Sequence, residues 1–99
     1  MKRVGFRPEA ALDVRSAYLW YEEQQTGLGE EFLAGVEKAL EAVLAFPESH
    51  PVVHRETRRV LVERFPYGIY YRVSSGEVTV VACMHGARDP DAWQSRLDG

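Results

Sequence analysis

The hydrophobic period of this chain changes once, and the change divides it. From Pro8 to Phe46 the apolar residues recur at three- and four-residue spacing, whereas beyond Val60 they alternate or run together. A helical period cannot be satisfied on a pleated strand, nor a two-residue period on a helix. The two halves must therefore adopt different secondary structure and bury their apolar faces against each other. The segment Pro47-Glu48-Ser49-His50-Pro51 marks the boundary, because no helix continues through two prolines so placed.

Val4-Gly5-Phe6-Arg7 reads as a short strand leading into Pro8, which suits a first helical position. A helix over Pro8 to Gln25 places Ala10, Val14, Ala17, Tyr18 and Tyr21 on one stripe, and Gly27 supplies a stop. A second helix from about Gly29 to Phe46 carries Phe32, Val36, Leu40 and Val43, with its acidic first turn favouring its start. The short connection folds the two back as an antiparallel hairpin. After a loop of about ten residues, Val60–Phe65, Ile69–Val73 and Val78–Met84 read as three strands of an antiparallel meander. The last is almost wholly apolar, as befits a central strand covered on both faces. Asp89-Pro90 opens a short final helix with Ala92, Trp93 and Leu97 on its apolar side. The expected architecture is α+β, ordered β-α-α-β-β-β-α, with a helix hairpin packed on an antiparallel sheet and a short C-terminal helix. With 99 residues the chain has room for one core, so residues 1–99 are read as a single domain.

Charge narrows the function. The net charge of −3 argues against direct nucleic-acid binding as the main business of the chain. Residues 1–46 carry five basic and eight acidic side chains, and residues 47–99 carry seven of each. Within residues 50–72, however, five Arg face two Glu, which reads either as a binding surface or as an ordinary solvated sheet rim. No apolar stretch approaches the ~20 residues that span a bilayer, and Met1-Lys2-Arg3 runs into a strand rather than a leader. A cytoplasmic address and no membrane partner are expected. Cys83, the single cysteine, is expected to be a packing residue.

Several constellations fail on chemistry. His50 and His54 have helical metal-ligand spacing but lie in a proline-interrupted loop, so no metal is expected; nor is a cofactor, since there is no glycine-rich phosphate loop. Ser74 and Ser75 belong to a hairpin turn, and Glu22/Glu23 and Glu30/Glu31 read as solvated faces. What remains is His85-Gly86-Ala87-Arg88-Asp89 at the end of the apolar strand, together with Arg59, Arg64 and Arg72 on the sheet. A structural alternative pairs Arg88 with Asp89 or with an acidic partner helix and packs His85 against Trp93.

These residues resemble a known family. Phe65-Pro66-Tyr67, Tyr70-Tyr71-Arg72-Val73, the apolar strand into His85-Gly86, Arg88-Asp89-Pro90, Trp93 and Arg96 resemble the ending of ParE-like plasmid-stabilisation toxins of the RelE/ParE superfamily. The N-terminal half adds Asp13-Val14, Ala17, Tyr21, Leu40 and Phe46-Pro47. The resemblance implies the toxin of a type II toxin–antitoxin pair, bound by a cognate antitoxin, with a homodimer or a heterotetramer with the antitoxin left open. The ParE-like branch implies inhibition of DNA gyrase and growth arrest, a binding activity rather than catalysis. The RelE-like branch implies a ribosome-dependent mRNA endonuclease. Arg59 and Arg88 match basic positions of that pattern and His85 is a candidate acid or base, but Leu61 and Gly68 stand where it has further basic residues, and Trp93 stands where a tyrosine is expected. A non-toxic interaction module is the third reading. The expected target-binding residues are Arg59, Arg64, Arg72, His85, Arg88 and Trp93. Those expected to contact antitoxin, together with an exposed sheet edge, are Val14, Tyr18, Trp20 and Tyr21.

Overall fold

The structure is a computed structural model that describes residues 3–98; of the stretch Met1-Lys2-Arg3, Met1 and Lys2 lie outside the described residues, as does Gly99. The elements are β1 (Arg3–Phe6), α1 (Pro8–Gln24), α2 (Leu28–Ala45), β2 (Val52–His54), β3 (Thr57–Leu61), β4 (Tyr67–Ser74), β5 (Glu77–His85) and α3 (Asp91–Asp98). The five strands form one sheet in the order β1-β5-β4-β3-β2. β1 pairs parallel with β5, and the other neighbours pair antiparallel.

The α+β class, the helix hairpin, the central apolar strand and the final helix stand as expected. Three features differ from the sequence reading. The sheet expected to be antiparallel is mixed, because β1 runs parallel to β5 while the meander strands stay antiparallel. The loop before the meander contains a fifth strand, β2, folded against β3. In addition, the strand expected over Val60–Phe65 instead spans Thr57–Leu61, and Glu63, Arg64, Phe65 and Pro66 form the turn into β4.

Both long helices cover one face of the sheet. Ala10, Ala17 and Tyr21 of α1 and Phe32, Val36, Ala39 and Val43 of α2 pack with Val60, Ile69, Tyr71, Val78, Val80 and Cys83. The opposite face is covered by α3, where Trp93 joins Tyr70, Val81, Ala82 and Met84. Both faces of β5 are thus buried, which is why its sequence loses the usual apolar–polar alternation. A bulge also interrupts the alternation: Tyr70 pairs with Ala82 while Tyr71 pairs with Val80, so Val81 is the extra residue and joins Ala82 on the α3 face.

The turn between the helices depends on backbone contact. Gly27 has φ of 92°, a left-handed conformation that glycine adopts without penalty. A Cβ on Gly29 would lie 2.8 Å from both the Tyr18 ring and the Tyr18 carbonyl, so α1 and α2 approach closely only because no side chain is there. Glu22 accepts the amide N–H groups of Gly27 and Gly29, each at 3.0 Å, and so supplies the N-terminus of α2 with a carboxylate. The sequence reading left Glu22 on a solvated face; it is instead the cap of the following helix.

Asp13 and Arg96 finish the sheet. β1 ends where Phe6 meets Val80, leaving the later part of β5 without a strand on that side. The Asp13 carboxylate accepts the Cys83 N–H at 3.0 Å, and the Arg96 guanidinium donates to the Val81 carbonyl at 3.1 Å. The two side chains also join each other through bonds of 2.7 and 3.0 Å. The pair therefore replaces a missing strand and ties α1, β5 and α3 together. The carboxylate also raises the pKa of Arg96, chiefly by hydrogen bonding to its charged form.

Cys83 sits beside this pair, and burial first, then the Asp13 charge, pushes its thiol pKa from 9.0 up to about 12. The native chain is therefore expected to leave Cys83 unmodified by a thiol reagent at pH 8, and to react only after denaturation. Because the folded pKa is the higher one, this contribution is fully present below about pH 9 and is lost as pH rises towards 12. The interval corresponds to roughly 4 kcal/mol. Burial raises Tyr21, Tyr67 and Tyr71 in the same direction. Melting temperature should fall above pH 9, and Cys83→Ala should flatten that fall. A native thiol that reacts freely at pH 8 would contradict the packing described.

Candidate functional site

Where β5 ends, the chain turns sharply. Gly86 donates its N–H to the Pro66 carbonyl at 2.7 Å, and Arg88 donates to the His85 carbonyl at 2.9 Å. His85 Nδ1 accepts the Ala87 N–H at 2.9 Å, which places the proton of the neutral imidazole on Nε2, as a donor. The His85 ring meets the edge of Tyr67 with centroids 5.4 Å apart. Tyr67 is in turn held by Phe32 and Tyr21 of the aromatic core, at 5.1 and 6.0 Å. Burial raises the Tyr67 pKa, and the Arg88 charge partly opposes this.

This corner faces α1 across a groove of about 320 Å³ lined by Asp13, Ser16, Trp20, Tyr67, His85 and Arg88, among others. Trp20 is 56% exposed, its ring set edge-on to Tyr21 at 5.1 Å. Asp13 is already engaged by Arg96. The groove thus offers an aromatic surface, an imidazole and a phenol as hydrogen-bonding groups, and Arg88 as a cation with no ion pair among the described residues.

The other expected target-binding residues are dispersed. Arg59 sits opposite Tyr70 in the β3–β4 register and so shares the α3 face of the sheet, with its stem against Gly68. His85 sits opposite Tyr67 and shares the helix-hairpin face. The sheet therefore separates Arg59 from His85. Arg72 donates to the Arg55 carbonyl at 3.1 Å and lies 3.8 Å from Glu56, bracing the β2–β3 hairpin. Arg64 is an exposed turn residue with φ of 66°. Trp93 corrects the reading most clearly. It is 4% exposed, stacked on Tyr70 at 4.2 Å with His54 at its edge, and is a core residue rather than a contact for any target. The expected packing of His85 against Trp93 is replaced by packing against Tyr67.

The expected antitoxin contacts divide as well. Tyr21 is buried and Val14 packs against the same core, so neither is on the outer face. Tyr18 is half-buried over Gly29, and its hydroxyl donates to Glu30 at 3.2 Å; that hydrogen bond, ahead of the carboxylate charge, raises its pKa. Trp20 alone of the four is open to a partner, and Leu12 and Leu19, 63% and 47% exposed on the same helix, were not singled out by the helical stripe.

Among the described residues no group of three or more His, Cys, Asp or Glu could hold a metal. His50 and His54 go separate ways, His50 to the Tyr71 hydroxyl at 3.1 Å and His54 to the edge of Trp93. No helix among the described residues is long and apolar enough to cross a membrane.

The sequence over residues 4–90 matches the family described as the ParE toxin of the type II toxin–antitoxin system parDE. The chain belongs to the ParE toxin family. Its backbone is also similar to a chain of a chromosomal ParDE TA system from P. aeruginosa, with a TM-score of 0.64 and 21% identity over 86% of this chain and 96% of that one. At that identity the likeness speaks for the fold. A comparison with curated proteins finds no match. In the groove between α1 and the end of β5, exposed Trp20 and the cation Arg88 converge with His85 and Tyr67.

Proposed function

We propose that this ParE family member is the toxin of a type II pair and arrests growth by binding DNA gyrase, with the His85–Arg88 corner and its groove as the contact. The observation that carries this reading is the division of charge by the sheet, with His85 and Arg88 on one side and Arg59 on the other. Cleavage of RNA requires groups that activate the 2′-hydroxyl, stabilise the phosphate and protonate the leaving oxygen, all converging on one atom. A binding surface needs no such convergence. Trp, Tyr and Arg are instead the residues enriched among the few that carry most of the binding energy of a protein interface.

The cognate antitoxin is assigned to the exposed side of α1, where Leu12 and Leu19 share the outer face and Trp20 stands at its border with the groove, an apolar surface that an amphipathic helix covers. Trp20→Ala should weaken antitoxin binding roughly 10–100-fold, the range of a central aromatic contact. Its melting temperature should change little, since the side chain is largely in solvent. Tyr21→Ala should do the reverse, lowering stability first. Isothermal titration against the protein encoded beside this chain, with parallel thermal melts, distinguishes the two; unchanged affinity for Trp20→Ala would remove α1 from the interface. In cells, expression of the chain should arrest growth and relax plasmid supercoiling, and the neighbouring protein should reverse both. Site-specific cleavage of translated mRNA in its place would favour the nuclease reading.

A further inference from the structure

We infer that the groove beside the end of β5 takes an acidic side chain of gyrase, with Arg88 as the residue that recognises it; this rests on the gyrase reading above and names the chemistry of the segment bound. The polar groups of the groove are unevenly spent. Asp13, the one carboxylate among the described residues that line it, is consumed inside the protein. One of its oxygens accepts the Cys83 N–H at 3.0 Å and an Arg96 N–H at 2.7 Å, and the other accepts a second Arg96 N–H at 3.0 Å. The Asp13–Arg96 pair is neutral as a unit, so the charge left at the groove is that of Arg88.

What remains free is a set of donors. The Ala87 N–H occupies His85 Nδ1 at 2.9 Å, which leaves Nε2–H as the group the neutral ring offers. A guanidinium has N–H donors and no acceptor, and that of Arg88 has no ion pair among the described residues. Its charge is felt at the Tyr67 phenol, where it opposes the rise in pKa caused by burial. Trp20, 56% exposed, brings an indole N–H to the α1 wall. Donors gathered around one uncompensated cation are complementary to an anion, and aromatic walls favour an anion carried on a protein segment over a free ion. A carboxylate fits better than a DNA phosphate. Nucleic-acid backbones are held by several clustered cations, whereas Arg88 is the one permanent cation among the described lining residues and the net charge of the chain is −3. The same arrangement repels a basic segment, which makes Arg88 a determinant of specificity as well as of affinity.

The test pairs inhibition of purified gyrase with cross-linking at the Arg88 position. Wild-type protein should inhibit supercoiling. Arg88→Lys, which keeps the charge but not the fork, should need about threefold more protein for the same inhibition, Arg88→Gln roughly tenfold more, and Arg88→Glu, which sets two carboxylates against each other, roughly 100-fold more. Thermal melts check that each variant is folded. Arg88→Lys also places a primary amine in the groove, so a carbodiimide should join it to the partner's carboxylate as an amide, the reagent taking up the water that is lost. Mass spectrometry of the complex formed with gyrase free of DNA should find that amide on an Asp or Glu of gyrase. Wild-type protein without effect on gyrase removes the underlying reading, and this inference with it. With wild-type inhibition intact, the inference alone is overturned by Arg88→Gln equal to the wild type, by Arg88→Lys no better than Arg88→Gln, or by Arg88→Glu no weaker than Arg88→Gln. It is equally overturned if Arg88→Lys inhibits but yields no such amide, which would leave a DNA phosphate or a neutral acceptor as the group recognised.

Discussion

Replacing Tyr71 by Ala is expected to cost roughly 3–5 kcal/mol, enough to leave the chain largely unfolded near 37 °C if it holds the usual ~5–15 kcal/mol. Tyr71 is fully buried on β4 among residues of both long helices and the sheet. Its hydroxyl adds a second role by donating to the Pro47 carbonyl at 2.6 Å, with His50 Nδ1 3.1 Å away. Those contacts hold the segment that leaves α2 at Phe46 and crosses back to the sheet. Tyr71→Phe keeps the ring and removes only the hydroxyl, leaving the Pro47 carbonyl short of a donor, and should cost about 1–3 kcal/mol. The pair of variants therefore separates cavity from hydrogen bond. Urea melts in which Tyr71→Phe is as damaging as Tyr71→Ala would mean that the hydroxyl, not the packing, is the main contribution.

The second large effect is at Asp13 and Arg96. Their side chains are only 14% and 19% exposed, and each also satisfies a backbone group on β5. Arg96→Ala removes the ion partner of Asp13 and leaves the Val81 carbonyl without its donor, a loss expected at about 3–5 kcal/mol. Asp13→Asn keeps an acceptor for the Cys83 N–H while losing the charge, and should be milder. Hydrogen exchange gives a local readout, with the Cys83 amide losing protection in Asp13→Ala before the remaining strands do. If Arg96→Ala melts within 1 kcal/mol of the wild type, the pair behaves as a surface contact and α3 is held by its apolar side, Trp93 with Ala92 and Leu97.

The parts legible in sequence are those where packing imposes a long, clean period. α2 and β5 are such cases, the first from Phe32, Val36 and Val43, the second from an unbroken run over Val80–Met84. β2 was illegible because it has three residues and a turn without its usual chemistry. Arg55 and Glu56 both take positive φ, 41° and 64°, where Asn-Gly would have announced a hairpin. The start of β3 was hidden for a related reason. Thr57-Arg58-Arg59 looks polar, but Arg58 spends its guanidinium on the Glu48 and His50 carbonyls, at 3.0 and 2.7 Å, and Arg59 lays its stem on Gly68.

For the site, His85 and Arg88 were legible as a polar cluster closing an apolar strand. That Trp20 would face them was not, since it depends on how α1 crosses β5. Trp93 was misread because an aromatic on a short terminal helix gives no sign of which way it points; here it points into Tyr70. The Asp13–Arg96 pair joins residues 83 apart in sequence, a distance at which spacing carries no information.

The central claim, that this ParE family member acts by binding gyrase through the groove beside His85 and Arg88, is tested most directly by a supercoiling assay with purified gyrase. Wild-type protein should inhibit supercoiling. The His85→Ala, Arg88→Ala double variant, folded by its melt, should need roughly 10–100-fold more protein for the same inhibition, a graded loss that tracks salt concentration. Wild-type protein that leaves supercoiling intact while cutting translated mRNA, with the cutting abolished in the double variant, would contradict the account.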